Sequence, residues 1–209
     1  DKYIEAFVAL TGPSHAEEVI ISLPTLVTAA SCNDNAARLI QEIFSNDLNF
    51  RVYTSDDLLG AELGGALKNI YAIASGMLTG IGYGDNARAA LICRALAEMQ
   101  RFTLALGAKE KTLSGLAGIG DLIVTTTSYH SRNFQAGLSI AKGKNLKEAL
   151  SSISMVVEGA RTTLSAYQMA RKLNIETPII DAIYSVIYEE KDVYTTINNL
   201  MKRSLKNEF

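Results

Sequence analysis

At Ser55 the hydrophobic pattern of this chain changes period, and that change dictates more about its fold than any other feature. Ahead of it lie three short runs of strand character: Phe7-Val8-Ala9-Leu10, Pro24 to Ala30 with its β-branched residues, and the alternating Phe50-Arg51-Val52-Tyr53-Thr54. Between the last two, apolar residues at 36, 39, 40, 43 and 44 have helical spacing, with Asp34 as the expected N-cap. Beyond Ser55 the strand signal fades. Ser55-Asp56-Asp57 opens a long helix in which Leu59, Leu63, Leu67, Ile70, Ile73, Ala74 and Met77 recur at helical spacing. A second long helix is expected from Asp85 to Leu106, with Ala89, Ile92, Cys93, Leu96 and Met99 on its apolar side and Gly107 as its stop. Shorter helices are expected near 132–142, 146–152, 159–173, 178–190 and 192–203, with Asn145 and Asp192 as caps. The expected class is mainly α: an incomplete α/β piece over residues 1–55, then an all-helical domain over 56–209.

Composition narrows the function classes. Twenty Lys and Arg against 22 Asp and Glu leave a net charge of −2, which offers no basic footprint for nucleic acid and no acidic tail. Apolar residues make up 48% and charged residues 20%, ordinary globular usage. No run of about 18 apolar residues suits a membrane span, and the N-terminal residues have no signal-peptide shape, so a cytoplasmic protein is expected. Two cysteines exclude a disulfide scaffold and a four-thiolate zinc site; Cys32 and Cys93, each in an apolar context, are expected as buried thiols. His15 and His130 are isolated in sequence, so no metal is expected. Three strands fall short of the roughly six of a doubly wound nucleotide fold. The one near-match to G-x-G-x-x-G/A, Gly82 to Ala87, follows a helix rather than a strand and reads as a helix–helix turn. The chain is therefore expected to be either a small α/β domain of its own or part of a larger protein.

Several clusters can carry chemistry. On the first long helix Lys68 shares a face with Gly64, Gly65, Tyr71, Ala72 and Ser75, and no carboxylate lies three or four residues away. The adjacent glycines cost the helix roughly 2 kcal/mol, so their small size must serve a close approach by a backbone or a ligand. A partly desolvated lysine there can give a proton to a carbonyl oxygen; the alternative is a surface lysine on a helix packed through glycines. Gly115 to Gly120 holds three glycines and ends on Asp121, which can orient a lysine, anchor a hydroxyl, or simply cap the next turn. Residues 125–133 collect six hydroxyls, Arg132 and Asn133; Ser131 can cap a helix beginning at Arg132, an arrangement suited to phosphate or to an ordinary polar loop. His130 is expected to face solvent or anchor that loop. The turn from Gly12 to Glu18 follows a strand, and its amides with Ser14 can hold a polar ligand.

Taken in order, the segments 12–18, 63–69, 82–88, 115–122, 131–133 and 156–159 resemble the bacterial-type NAD(P)-dependent glycerol-3-phosphate dehydrogenases over nearly the whole chain. The resemblance implies a helical domain of the 6-phosphogluconate-dehydrogenase-like kind, preceded by the last strands and helices of a Rossmann-like domain. It implies interconversion of sn-glycerol 3-phosphate and dihydroxyacetone phosphate with NAD or NADP, feeding glycerophospholipid synthesis. By the same resemblance, Lys68 is the catalytic proton carrier. Gly12, Ser14, Lys68, Asp121, Ser131, Arg132 and Asn133 hold the substrate, and Ala16, Arg132, Val156 and Glu158 touch the dinucleotide. His15 departs from the aromatic residue common at its position. The family's glycine-rich fingerprint and an early substrate lysine have no counterpart in these residues, so the 209 residues alone are expected to be inactive. The resemblance also admits a homodimer, and offers no nucleic-acid or membrane partner. Two other readings stand beside it: another hydroxyacid dehydrogenase of the same superfamily, and a helical dimerisation module, which explains Gly64 and Gly65 but leaves Lys68 and Asp121 without purpose.

Overall fold

The computed structural model describes residues 4–151, 153 and 157–208. Three strands form one sheet in the order β1 (Ala9–Thr11), β2 (Thr25–Ala30), β3 (Phe50–Ser55). β1 runs antiparallel to β2 with Thr11 opposite Thr28, and β2 parallel to β3 with Val27 opposite Val52. The short α1 (Ala16–Val19) follows β1, and α2 (Asp34–Phe44) is the crossover between the parallel pair. Alternation sorts the sheet into two faces. Val27, Ala29 and Val52 pack with Ile40 of α2, whereas Ala9 and Ala30 turn to Ala61 and Ala117 of the helical part.

α2 departs from expectation in two details. Its N-cap is Asn33, whose side chain accepts from the Ala36 amide at 3.2 Å, while Asp34 begins the helix and pairs with Arg38. Its one fully buried residue is Ala37, off the expected stripe; Ile40 packs against the sheet, while Leu39, Ile43 and Phe44 stay exposed, because a three-stranded sheet covers only a narrow strip of a helix.

The helical part is built around α3 (Leu58–Gly80). Asp57 caps it: one carboxylate oxygen accepts from the Gly60 amide at 2.9 Å, the other from the Lys109 amide at 2.9 Å and the Thr112 hydroxyl at 2.5 Å. One side chain thus starts the helix and pins the single-turn segment Glu110–Ser114 against it. The centre of α3 is buried on all sides, with Ile70, Tyr71 and Ile73 fully enclosed. Around it pack α4 (Asp85–Ala105), α5 (Asp121–Thr127), α6 (Arg132–Ala141), α8 (Glu158–Leu173) and α9 (Pro178–Tyr188), with α7 (Leu146–Ser151) and α10 (Val193–Met201) outside. α3 and α6 cross almost backbone to backbone. A methyl on Gly76 would overlap the Phe134 carbonyl, and one on Gly137 the Ile73 carbonyl.

The turn between α3 and α4 holds Gly82 and Gly84, so the segment from Gly82 follows a helix as expected, with Asp85 to Ala87 already the first turn of α4. α4 stops before Gly107, whose φ of 95° suits glycine. Asn145 and Asp192 cap as expected, accepting from the amides of Glu148 and Thr195. The cysteines overturn their expectation: both are exposed. Cys32 lies in the turn ahead of α2. On α4 the buried side runs through Ala95, Met99 and Phe102, and Cys93, two residues before Ala95, points about 200° away, as Ala89 also points outward.

Candidate functional site

The site lies where the middle of α3 meets the end of β1 and the starts of α5, α6 and α8. Lys68, midway along α3, reaches across to Asp121 at the start of α5, with Nζ 2.5 Å from Oδ2. The lysine side chain keeps 21% of its exposure and the carboxylate 3%. The local sequence offers Lys68 no partner; its carboxylate comes from 53 residues downstream. Asp121 is held on both oxygens, since the Thr11 hydroxyl donates to Oδ2 at 3.4 Å and the Thr125 hydroxyl to Oδ1 at 3.3 Å. Burial pushes the Asp121 carboxyl above its usual range, and the Lys68 charge with these hydrogen bonds pulls it only part of the way back. The ammonium is thus fixed by a carboxylate that is itself fixed on two sides.

A single π-helical turn, Leu116–Gly120, delivers Asp121 to this place. Gly118 serves packing, because a side chain there would overlap the backbone of Leu113, whereas Gly120 has room for one. The two glycines of α3 divide their roles. A Cβ on Gly64 would lie 2.6 Å from the Ala117 carbonyl oxygen, so Gly64 allows the π turn to approach. A Cβ on Gly65 would meet only the Thr11 hydroxyl, at 3.5 Å. Gly65 instead borders a cavity of about 420 Å³ lined also by Ala9, Thr11, Asn69, Glu158 and Thr162. Gly64→Ala is therefore expected to lower thermal stability by about 2 kcal/mol through overpacking, whereas Gly65→Ala should fold as well as the parent and impair what enters the cavity. Paired melting and ligand-affinity measurements check this split, and equal melting temperatures for the two variants would refute it.

Beside Lys68, the Asn69 side chain accepts from the Asn133 amide at 2.9 Å, and Asn133 Oδ1 accepts from the backbone of Gly159 at 2.8 Å. This ladder ties α3 to the N-termini of α6 and α8, and Asn133 is buried. Ser131 caps α6, accepting from the Phe134 amide at 3.3 Å. Arg132 lies half-exposed with one nitrogen 3.5 Å from Glu158, a loose pair that leaves its guanidinium accessible. Gly12, at φ 141°, lets β1 turn against β2, where a Cβ would stand 3.1 Å from the Val27 Cα. Ser14 is exposed and donates to the Gly12 carbonyl at 3.1 Å, and Ala16 opens α1. Val156 lies outside the described residues.

The structure thus brings Lys68 and Asp121 into contact, and Arg132 with Glu158, and sets Asn133 beside both groups. Gly12 belongs with them through the adjacent Thr11, and Pro13 approaches Gly120. Sequence reasoning missed Thr11, Asn69 and Thr125. Asn69 had a signal, an amide next to Lys68 on a glycine-lined helix; Thr125 stood in the hydroxyl cluster of 125–133 but not as a partner of Asp121, and Thr11 had none. The histidines, isolated in sequence, are neighbours in space, with ring centroids 6.2 Å apart.

Residues 57–198 match the family described as NAD-dependent glycerol-3-phosphate dehydrogenase C-terminus. Over 207 residues the chain is 53% identical to the glycerol-3-phosphate dehydrogenase [NAD(P)+] of Geobacillus kaustophilus, a match covering 99% of this chain and 60% of that protein. Over 199 residues it is 53% identical to the Staphylococcus aureus protein of the same name, covering 95% and 60%. A crystal structure of glycerol-3-phosphate dehydrogenase from Coxiella burnetii superposes with a TM-score of 0.91 at 40% identity, over 95% of this chain and 61% of that one. The chain thus spans about 60% of the length of these relatives. With its family match, its mainly helical fold and its close identity to these proteins, the chain belongs to the family of NAD-dependent glycerol-3-phosphate dehydrogenases, through their C-terminal part.

Proposed function

We propose that these residues form the substrate-binding and proton-transfer part of an NAD(P)-dependent enzyme that interconverts sn-glycerol 3-phosphate and dihydroxyacetone phosphate, supplying glycerophospholipid synthesis in the cytoplasm. The observation that carries this reading is the part-buried contact between Lys68 and Asp121, next to an open cavity lined by Thr11, which bonds Asp121, and by Asn69, the neighbour of Lys68. Reducing a ketone needs a hydride on carbon and a proton on oxygen. Lys68 Nζ gives the proton to the carbonyl oxygen and takes it back from the hydroxyl in the reverse direction. Asp121 keeps the ammonium aimed, and Thr11 and Thr125 keep Asp121 aimed; these three position rather than react. Arg132 with the capped start of α6, Ser131 and Asn133, holds the phosphate, so that its binding energy orients the carbonyl toward Lys68. Gly12 and Ser14 form the facing wall of the substrate site.

The residues present fit a dinucleotide. Gly65 leaves room at the cavity where a side chain would intrude, and Thr11, Asn69 and Glu158 give it a polar rim. When bound, the nicotinamide supplies or accepts the hydride. Ala16, Arg132, Val156 and Glu158 are the proposed contacts to the dinucleotide. Because the 209 residues contain no glycine-rich turn between a strand and a helix, they are expected to show no turnover by themselves.

The test is an assay of the whole protein with dihydroxyacetone phosphate, and with 2-ketoacids for comparison, using NADH and NADPH in turn. Turnover confined to the 2-ketoacids would replace the proposal with the hydroxyacid reading. A sharper expectation concerns Arg132→Lys. It keeps the charge and loses the planar fork that matches a phosphate, so KM should rise about tenfold or more for dihydroxyacetone phosphate and little for dihydroxyacetone. Equal effects on the two ketones would remove Arg132 from phosphate recognition.

A further inference from the structure

We propose that His15 and His130 form an imidazole pair that receives the phosphate monoester end of the substrate, alongside Arg132; this rests on the phosphate-ester substrate proposed above. The two rings meet edge to face, with centroids 6.2 Å apart and an interplanar angle of 62°. Both backbones are fixed. The His15 carbonyl accepts from the amides of Glu18 and Val19 at 3.0 Å each, and the His130 amide donates to the Ser128 hydroxyl at 3.1 Å. The rings are therefore set by two anchored loops rather than by a chance approach of two mobile side chains.

His15 Nε2 is buried and has no hydrogen-bond partner, alone in this among the side-chain polar atoms of the described residues. Leaving such a nitrogen unpaired is costly, and buried polar atoms almost always find a partner. An unpaired nitrogen of this kind, on the loop beside the candidate site, is one that an incoming group can satisfy. The position says which group. Contacts lead from Asp121 to Thr11, from Gly120 to Pro13, and so along one loop to His15; the facing ring belongs to His130, followed directly by Ser131 and Arg132. The pair thus joins the loop that follows Thr11, whose hydroxyl meets Asp121, to the residues that open α6 at Arg132. A ligand spanning these two ends carries its acceptor oxygens near the histidines, and a phosphate monoester has only acceptors to offer apart from its exchangeable proton, which matches imidazole N–H donors. Metal binding is the poorer reading, since among the described residues no third His, Cys, Asp or Glu joins the pair.

The experiment uses the whole protein with His15→Phe, which keeps an aromatic ring and removes both nitrogens, and His15→Gln, which restores an N–H near the position of Nε2. His130→Phe, at an exposed site, is the companion should the first fold poorly. Affinity for inorganic phosphate is measured by calorimetry, and KM is measured for glycerol 3-phosphate, dihydroxyacetone and the dinucleotide. His15→Phe is expected to weaken phosphate binding and raise KM for glycerol 3-phosphate about tenfold, the usual size of one hydrogen bond to a charged group, with a smaller change in kcat. KM for dihydroxyacetone should stay put, and His15→Gln should recover most of the loss. Unchanged phosphate affinity in both Phe variants would overturn the pair, as would a rise confined to the dinucleotide's KM, which would assign the histidines to its pyrophosphate. Loss of phosphate affinity in a protein that never turns over glycerol 3-phosphate would keep the pair and overturn the dehydrogenase reading instead.

Discussion

Lys68→Ala in the whole protein is expected to lower kcat by about 10²–10⁴, the range for a positioned acid–base group, with a much smaller change in dinucleotide affinity. Two effects combine in that variant. The proton carrier is gone, and the Asp121 carboxylate, 3% exposed, loses its ammonium. A buried charge stripped of its partner is unstable, and the carboxyl answers by taking up a proton, in the direction burial already pushes it. Lys68→Arg separates the two effects. Its guanidinium keeps the ion pair and stays protonated at any working pH, so it preserves the fold without passing a proton. If the proposal holds, Lys68→Arg melts close to the parent and turns over nearly as poorly as Lys68→Ala. A Lys68→Arg enzyme with near-parental kcat would show that the charge alone matters, and near-parental kcat in Lys68→Ala would sink the assignment.

Lys68 was legible in the sequence because what marks it is local. A lysine on a helical face of glycines and small residues, with no carboxylate one turn away, is visible from residue types and the 3.6 period. Its partner was visible as a residue but not as a partner. Asp121 arrives from 53 positions downstream through a π turn, and no local rule announces such a turn or the backbone approach that Gly64 permits. Thr11 and Thr125 were silent for the same reason: a threonine in a strand or helix looks the same whether or not its hydroxyl meets a carboxylate from another element. The longer helices came through, since amphipathic spacing and caps such as Asp57, Ser131 and Asp192 are written within four residues, but α5, which takes in Thr125 to Thr127 of the hydroxyl cluster, was not expected because its seven residues are too few to show a period. What failed was phase. Cys93 sits among apolar neighbours, yet α4 buries the side through Ala95 and Met99, and a local window cannot tell which of two apolar sides meets the core. The close α3–α6 crossing escaped notice because Gly76 and Gly137 look like weak points of a helix until the second helix lies on the first.

Glu98 is the strongest case of a residue the sequence hides, and its removal is expected to give the largest loss of stability. In the run Ala95-Leu96-Ala97-Glu98-Met99 nothing local singles it out, yet it is fully buried. Its two oxygens accept from the backbone amides of Ile179 and Ile180, each at 2.9 Å, and from the Tyr71 hydroxyl at 3.3 Å. One carboxylate on α4 thus satisfies the first turn of α9, where Pro178 precedes two amides with no partner inside their own helix, and ties both to the core of α3. Glu98→Ala orphans three buried donors and opens a cavity, which should cost about 3–5 kcal/mol, a fall of roughly 10 °C in melting temperature for a chain of this size. A loss below about 1 kcal/mol would mean that water or a rearranged α9 replaces the carboxylate. The same residue gives a pH signature. Burial, opposed by those amides, the Arg101 charge and the Tyr71 hydroxyl, raises its pKa from 4.5 to about 7. Between those values the folded chain holds a proton that the unfolded chain has released, so the Glu98 contribution to stability declines as pH rises from about 4.5 to about 7 and is level outside that window. Glu98→Gln does not titrate and should lack this decline. Subtracting its melting temperatures from those of the parent across the window isolates the term; a difference that stays flat or rises with pH would show that the helix dipole and the three donors outweigh burial and keep Glu98 ionised in the fold.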